Sequence, residues 1–432
     1  MSGIARKSFE TFVVRVATQL LAAGGGIVVA RTLLPAGKGE FTYVGTILGF
    51  ALMMAVGHTR AVLWQYGKRA IAAGSVLRVM VFIVAAVSVP LAVVTAAIGA
   101  FVPSQHSLLF VAVALPFAMF AQSAGGLFLA DGDVRTLNVK ELLPNVLAPL
   151  VYVPIVVFFD RSLWVVLAAW AGGYIVAAGY IAFALRRYDR TVPAPTDLQA
   201  LAKEQISFGG HAGLSSLLQY VDFRIDVFLV MFMLGSAALG IYSVGIAIGE
   251  FIWQLSSAMI NPSLRDIGGK DFERAAEVTA KCMRHSLLLV FIAALAVALL
   301  ARTVVPLLYG PAFSYGAVLT IALLPGIIAY SMMPALSAFF SQQLGRPRVP
   351  SYFSALSAGV CALITALALP RFGLIAAALA TSISYSAAFV LATIYFTRVS
   401  GLSFARTFAY STADLRPYRS LLTGAMGALR GR

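Results

Sequence analysis

A chain of 432 residues that is 60% apolar and only 11% charged, with a mean hydropathy of +0.89, carries more apolar surface than one water-soluble core can hide. Its 32 Lys and Arg against 17 Asp and Glu leave a net charge of +15, but the cations stand singly between apolar runs and form no stripe with interleaved aromatics, which excludes a nucleic-acid partner. Two cysteines, Cys282 and Cys361, lie far apart in or beside apolar stretches and supply neither a disulfide framework nor a zinc spacing, so the class is an integral membrane protein.

A hydrocarbon core about 30 Å thick takes about 20 residues of helix. Twelve apolar runs of that order follow one another, near 11–30, 41–63, 76–99, 107–130, 138–159, 162–185, 207–233, 237–261, 284–308, 316–343, 350–369 and 373–397. All exceed a barrel strand of about ten alternating residues, so they are predicted to be helices that satisfy their own backbones within lipid. The first is kept as a span and not a signal peptide, because Arg15 interrupts it and it ends in Ala30-Arg31. With a cytoplasmic N-terminus, the even-numbered connections and both termini collect 24 of the 32 basic residues. The opposite face holds Arg31, Lys38, Arg161, Arg302 and Arg371, the asymmetry expected of loops facing the cytoplasm.

The polar stretch from Arg186 to Lys203, with Pro193-Ala194-Pro195, reads as a linker. The expected organisation is a six-helix lobe over 1–186, a cytoplasmic linker over 187–205, a second six-helix lobe over 206–397 and a basic cytoplasmic tail over 398–432. The turn Leu34-Pro35-Ala36-Gly37-Lys38-Gly39-Glu40-Phe41 resembles Leu234-Gly235-Ser236-Ala237-Ala238-Leu239-Gly240-Ile241-Tyr242, pairing Gly39 with Gly240 and Phe41 with Tyr242. A repeat of six spans relates two halves by an axis along the membrane normal and places the binding cavity between them. The stretch from Arg265 to Arg284 reads as an amphipathic connector, either solvated or lying on the surface. Breaks are expected at Pro144, Pro149 and Pro154 and at Pro325-Gly326 and Pro334.

Charges inside spans cost about 2.5–3.5 kcal/mol each on insertion scales and mark function by default. They are Arg15, Arg60, Asp222, Arg224, Asp226 and Glu250, with Lys140, Glu141, His58 and His211 near span ends. Arg15 and Arg60 sit where they could line a cavity or snorkel to the headgroups. Asp222 and Asp226 share one face of their helix and Arg224 points about 200° away. Which face meets the cavity stays open, as does whether the carboxylates and Glu250 hold a structural ion pair or a coupling cation.

The run Ala30-Arg31-Thr32-Leu33-Leu34-Pro35-Ala36-Gly37-Lys38-Gly39-Glu40-Phe41 looks like a turn of the multidrug/oligosaccharidyl-lipid/polysaccharide (MOP) exporter superfamily, "AR-x-LGP-x-GxGxY". Arg224-Ile225-Asp226 with Leu239-Gly240-Ile241-Tyr242-Ser243 and Glu250 is similar to "RxD…LGxYxxA…E". Pro306-Leu307-Leu308-Tyr309-Gly310-Pro311-Ala312-Phe313, Leu344-Gly345-Arg346 and Arg371-Phe372-Gly373-Leu374-Ile375-Ala376-Ala377-Ala378 match its last spans. The chain thus resembles the polysaccharide flippases of the O-antigen (Wzx) type. It departs from them in carrying Leu34 where the family has Gly and Phe41 where it has Tyr. The two further spans of the lipid II flippase branch do not follow its twelfth span.

This resemblance implies an all-α membrane protein of twelve helices in two pseudo-symmetric lobes, a MATE-like (MOP) fold. It further implies a plasma-membrane flippase, not an enzyme, that moves a polyprenyl-diphosphate oligosaccharide outward by alternating access for O-antigen or other lipopolysaccharide and cell-surface polysaccharide biosynthesis. Arg15, Arg60 and Arg224 would meet the diphosphate, since guanidinium forks suit phosphate oxygens. Tyr220, Trp253 and Tyr330 could stack on sugars. No cofactor or metal is implied, and coupling to an H⁺ or Na⁺ gradient is left open. Partners would be the lipid-linked oligosaccharide, membrane lipids and the polysaccharide polymerase and assembly proteins of the same pathway. The alternatives are a cation-coupled multidrug exporter, for which Asp222, Asp226 and Glu250 would be the site, and a membrane glycosyltransferase or polymerase. The outward loops are too short for the latter, holding only Glu40 and Asp160 as acids.

Overall fold

Lipid offers the backbone no hydrogen-bond partner, and in the computed structural model every element among the described residues is helical. Residues 3–193 and 197–410 are described, without the side chains of 3–16, 258, 259 and 261. The linker residues 194–196 and the tail from 411 onward lie outside them.

Ten stretches of the described chain are long and apolar enough to cross a membrane, two fewer than the twelve expected. One difference is a merger. The first two predicted spans form a single run, Ala17–Lys68, of 52 residues. At 1.5 Å per residue that is about 78 Å of helix, more than twice a hydrocarbon core, so it must fold back. The other is α6 (Leu198–Leu234), the seventh predicted span, whose most apolar stretch is interrupted by Asp222, Arg224 and Asp226 and is not among the ten.

The fold-back lies inside α1 (Gly3–Leu63), where Leu34 takes φ 60, ψ −175 and Pro35 restarts the helix. Proline suits a first helical position because its fixed φ is already helical and its missing N–H would have no partner there. The expected loop over 31–40 thus shrinks to one residue. Lys38 Nζ comes within 3.3 Å of where a Cβ on Gly26 would sit, whereas a straight helix would hold residues 26 and 38 about 18 Å apart. The same reversal recurs three times. Gly235 (φ 85, ψ 179) lies between α6 and α7 (Ser236–Ile260), and Gly310 (φ 101, ψ 163) follows α9 (Phe272–Tyr309). Gly373 (φ 64, ψ −154) joins α12 (Arg348–Phe372) to α13 (Leu374–Ser400). Each of these glycine amides donates to the carbonyl four residues back: Met231, Pro306 and Leu369. Leu34 occupies a conformation that is essentially glycine's own.

The chain divides into two compact units, Met1–Ser243 with Val305–Tyr315, and Val244–Val304 with Gly316–Arg432. In the first, α1 packs on α3 (Leu108–Ala130), α4 (Val134–Phe158) and α6, with α2 (Ala73–Phe101) on α3 and α5 (Leu163–Ala184) on α4. Arg31 Nε donates to the Leu308 carbonyl at 2.7 Å and its Nη2 to that of Leu307, satisfying orphan acceptors at the end of α9. The tight turns meet reciprocally. A Cβ on Gly39 would strike the Ser236 carbonyl and Gly240 amide, and one on Gly240 would strike the Pro35 carbonyl. The glycines paired in the sequence repeat are therefore points where the backbones of these two turns touch. Helix α4 runs unbroken through Pro144, Pro149 and Pro154, so the breaks expected there do not form.

Between α3 and α4, Asp133 caps α4, accepting from the Thr136 amide at 3.0 Å and its hydroxyl at 2.6 Å. Arg187 Nη2 donates to the same carboxylate at 2.7 Å, and the Tyr188 hydroxyl donates to Asp131 Oδ2 at 2.5 Å, tying the start of the linker to this turn. Burial alone raises the Asp133 carboxyl, but the Thr136 and Arg187 hydrogen bonds and the Arg187 charge outweigh it and hold the group below its usual range.

In the second unit, α8 (Leu264–Ile267) is a single turn, and the rest of the predicted amphipathic connector continues straight into α9. The tenth predicted span is α10 (Ser314–Tyr330), a break ahead of Pro334, α11 (Met333–Ala338) and a π turn at Phe339–Gln343. Pro325 leaves α10 helical. Beside it the Ser382 hydroxyl from α13 enters the backbone ladder, accepting from the Gly326 amide at 3.3 Å and donating to the Ala322 carbonyl at 2.6 Å. Phe82, Leu150, Leu299, Leu363 and Leu367 are exposed along their helices, as lipid contact requires.

Leu34→Gly relieves about 1–3 kcal/mol of backbone strain against about 0.5–1 kcal/mol of added unfolded-state entropy, and Leu34 is 59% exposed, so little burial is lost. A net gain of about 1 kcal/mol is expected in thermal unfolding of the detergent-solubilised protein, while Gly240→Ala should lose about 1–3 kcal/mol because backbone blocks the methyl. Because the native Asp133 carboxyl is depressed, its stabilisation is full above the unfolded value of about 3.9 and disappears as pH falls through the native one. Asp133→Asn should therefore be less stable at pH 7 and show a smaller loss on acidification in the same melts.

Candidate functional site

The second limb of α1 and α6 run antiparallel. Gln65 Nε2 donates to the Leu201 carbonyl at 3.2 Å, Gly57 lies against the backbone of Gly209 and Gly213, and Gly49 lies under the Tyr220 ring. Glycines at 49, 57, 209 and 213 let the two helices approach, as small residues do in membrane bundles. Beyond them an aromatic column forms. Phe50 meets Tyr220 and Phe228, each at 5.1 Å, and Tyr43 meets Phe228 at 6.3 Å and Phe232 at 6.2 Å, all edge to face. The spacings of seven between Tyr43 and Phe50, and of eight and four from Tyr220 through Phe228 to Phe232, already place these rings on single helix faces.

Of the three charges of α6, Arg224 meets this column. Asp222 and Asp226 are 2% and 3% exposed, and Arg224 is half-buried, so the two-faced pattern read from the spacing is realised. Asp226 Oδ2 accepts from the Tyr242 hydroxyl at 2.5 Å and Oδ1 from the Val227 amide at 2.8 Å, with Tyr242 fully buried. The Arg224 guanidinium lies 5.8 Å over the Tyr220 ring, whose hydroxyl donates to the Thr46 carbonyl at 3.2 Å. One face of the helix thus holds a carboxylate in a hydrogen-bonded clamp. The other holds a planar cation seated on a ring whose own position is fixed from α1.

Of the other expected site residues, Arg60 is not gathered here. Arg60 is exposed in the last turn of α1, about 21 Å along that helix from Thr46. The Arg15 side chain lies outside the described residues. Glu250 is half-buried in the second unit. There Trp253 packs edge-on against Tyr330 at 5.0 Å, and Tyr330 lies 4.3 Å from Tyr385, with both tyrosines buried. Lys140, which the sequence places at a span end, is buried, donating to Gln122 Oε1 at 2.7 Å and pairing with Glu141 at 2.8 Å. The Tyr242 clamp is what the sequence reading missed. Tyr242 appears in the repeat opposite Phe41, and nothing in a spacing of sixteen across a turn signals contact with Asp226. Among the described residues no group of three or more His, Cys, Asp and Glu is placed to hold a metal ion.

The family model for polysaccharide biosynthesis proteins matches residues 4–262, more than half of the chain, and the MatE model matches 212–367. No curated protein matches the sequence. Among solved structures, the chain is similar to an inward-facing multidrug resistance MATE family transporter of the MOP superfamily, at 16% identity over 90% of this chain and 98% of that one, with a TM-score of 0.72. It is similar to the lipid II flippase MurJ in an inward closed conformation, at 10% identity over 92% and 89%, TM-score 0.73. It is also similar to a MOP superfamily transporter from Pyrococcus furiosus described by the reverse polarity of its binding pocket, at 15% identity over 93% and 96%, TM-score 0.60. At these identities the likeness is one of fold, and the fold is the MOP fold expected from the sequence.

Tyr242→Phe leaves the buried Asp226 oxygen without its hydroxyl donor and should cost about 1–3 kcal/mol in thermal unfolding.

Proposed function

The chain belongs to the family of polysaccharide biosynthesis proteins, multi-pass membrane proteins with the MOP transporter fold, and we propose that it flips a polyprenyl-diphosphate-linked oligosaccharide from the cytoplasmic to the outer leaflet by alternating access. The observation that carries this reading is Arg224, a half-buried guanidinium in the C-terminal half of α6, seated on the Tyr220 ring. A diphosphate crossing the bilayer needs such a fork, which binds two oxygens at once and keeps its charge in lipid. The clamp on Asp226 supports a structural role for that carboxylate. The membrane would be a bacterial or archaeal plasma membrane with both termini cytoplasmic, as the distribution of basic residues supports. The pathway would be O-antigen or another surface polysaccharide, with its polymerase and assembly proteins as partners.

A second reading, a cation-coupled drug exporter, draws on the MatE match over 212–367, a stretch that includes Asp222, Asp226 and Glu250. Proteoliposomes separate the two. The wild type should move a polyprenyl-diphosphate oligosaccharide, folded Arg224→Ala should do so about 10–100-fold more slowly, and Arg224→Lys should recover part of the loss. Asp226→Asn should retain transport if folded. A wild type that moves no lipid-linked saccharide but expels organic cations along an imposed ion gradient replaces the flippase with the exporter.

A further inference from the structure

Outside the α6 site, the second unit carries a cavity of about 420 Å³ lined by Glu277, Lys281 and Arg284 of α9 and by Leu402, Arg406 and Tyr410 near its C-terminal end. That volume falls in the range of small-molecule sites. Glu277, Lys281 and Arg284, at intervals of four and three, share one face of α9. The opposite wall is α14 (Phe404–Phe408), which is strapped down in both directions. Arg284 Nη1 donates to the Arg406 and Thr407 carbonyls at 3.1 and 3.2 Å, and the Tyr410 hydroxyl donates to the Arg284 carbonyl at 2.7 Å. Phe408 packs edge-on against Phe389 of α13 at 6.2 Å, while Phe404 beside it is 64% exposed.

Two features choose the ligand. Three cations face one carboxylate, and Lys281 and Arg406 are exposed, so the cavity favours an anion. It also sits where spans end. The 38 residues of α9 measure about 57 Å, more than a hydrocarbon core, and its N-terminal cluster of charges ends at Arg284, after which an apolar run carries no Asp, Glu, Lys or Arg until Arg302. Basic side chains beside an exposed phenylalanine at such a boundary suit a phosphate with acyl chains attached better than a fully hydrated one.

We propose that this cavity binds the phosphate headgroup of an anionic phospholipid from the surrounding leaflet. The site is independent of the transport reading, since its residues and its readout are separate from those of Arg224. The headgroup phosphate accepts from Lys281, Arg284 and Arg406, Glu277 sets an upper limit on the negative charge admitted, and Phe404 enters the acyl region.

The full-length protein in detergent can be titrated with short-chain phosphatidylglycerol, short-chain phosphatidylcholine and inorganic phosphate, following the shift of its thermal unfolding. Phosphatidylglycerol should bind about tenfold more tightly than phosphatidylcholine, and added salt should weaken it. Lys281→Gln with Arg406→Gln, both exposed and with side chains that take no part in the α14 strap, should reduce phosphatidylglycerol affinity about tenfold and leave phosphatidylcholine unchanged. Glu277→Gln should tighten it about threefold. Equal binding of the two lipids, or phosphatidylglycerol binding that survives the double substitution, overturns the proposal. Inorganic phosphate that binds as tightly as the lipid and displaces it overturns the lipid as the source of the anion.

Discussion

Everything in this chain follows from the need to reverse direction without leaving backbone groups stranded near lipid. A reversal in one residue accomplishes this, because the preceding amides stay helical and the next helix starts at once. It requires a backbone at positive φ with ψ near 180°, which three glycines supply freely and Leu34 supplies under strain. Proline follows the reversal at Pro35 and at Pro311, where it fits a helix start. The close contact of Gly39 and Gly240 with backbone across the first unit is possible because these turns are so short.

The membrane class, the helices and the superfamily were legible in the sequence because apolar length and the Leu34-Pro35, Gly310-Pro311 and Gly373 turns are local features. Spans 1 and 2 were read with a ten-residue loop between them because Lys38, Gly39 and Glu40 look like loop residues, yet they are helical. The amphipathic stretch before span 9 was read as a separate connector, whereas residues 272–284 extend that span without a break. Proline was an unreliable guide to breaks. Pro144, Pro149 and Pro154 leave α4 continuous, while Pro334 marks an actual interruption.

The charges of α6 show the same division. Their alternation gave a correct account of faces, since a spacing of four is a property of one helix. What lies opposite each face belongs to tertiary structure. Tyr242 on Asp226 and Tyr220 beneath Arg224 join residues through a turn or within the column that α1 provides. Arg60 shares residue type with Arg224 but not position, because antiparallel pairing carries it toward the other end of α1.

Ser382 ties the backbone of α10 to α13. A bend normally stretches one rung of the backbone ladder and raises energy as it grows. Here the Gly326 rung runs through a hydroxyl that accepts from the Gly326 amide and donates to the Ala322 carbonyl, so both backbone groups stay paired beside Pro325. The hydroxyl belongs to α13, so a relative shift of α10 and α13 at this level would have to break the bonds that keep the Ala322 and Gly326 backbone paired.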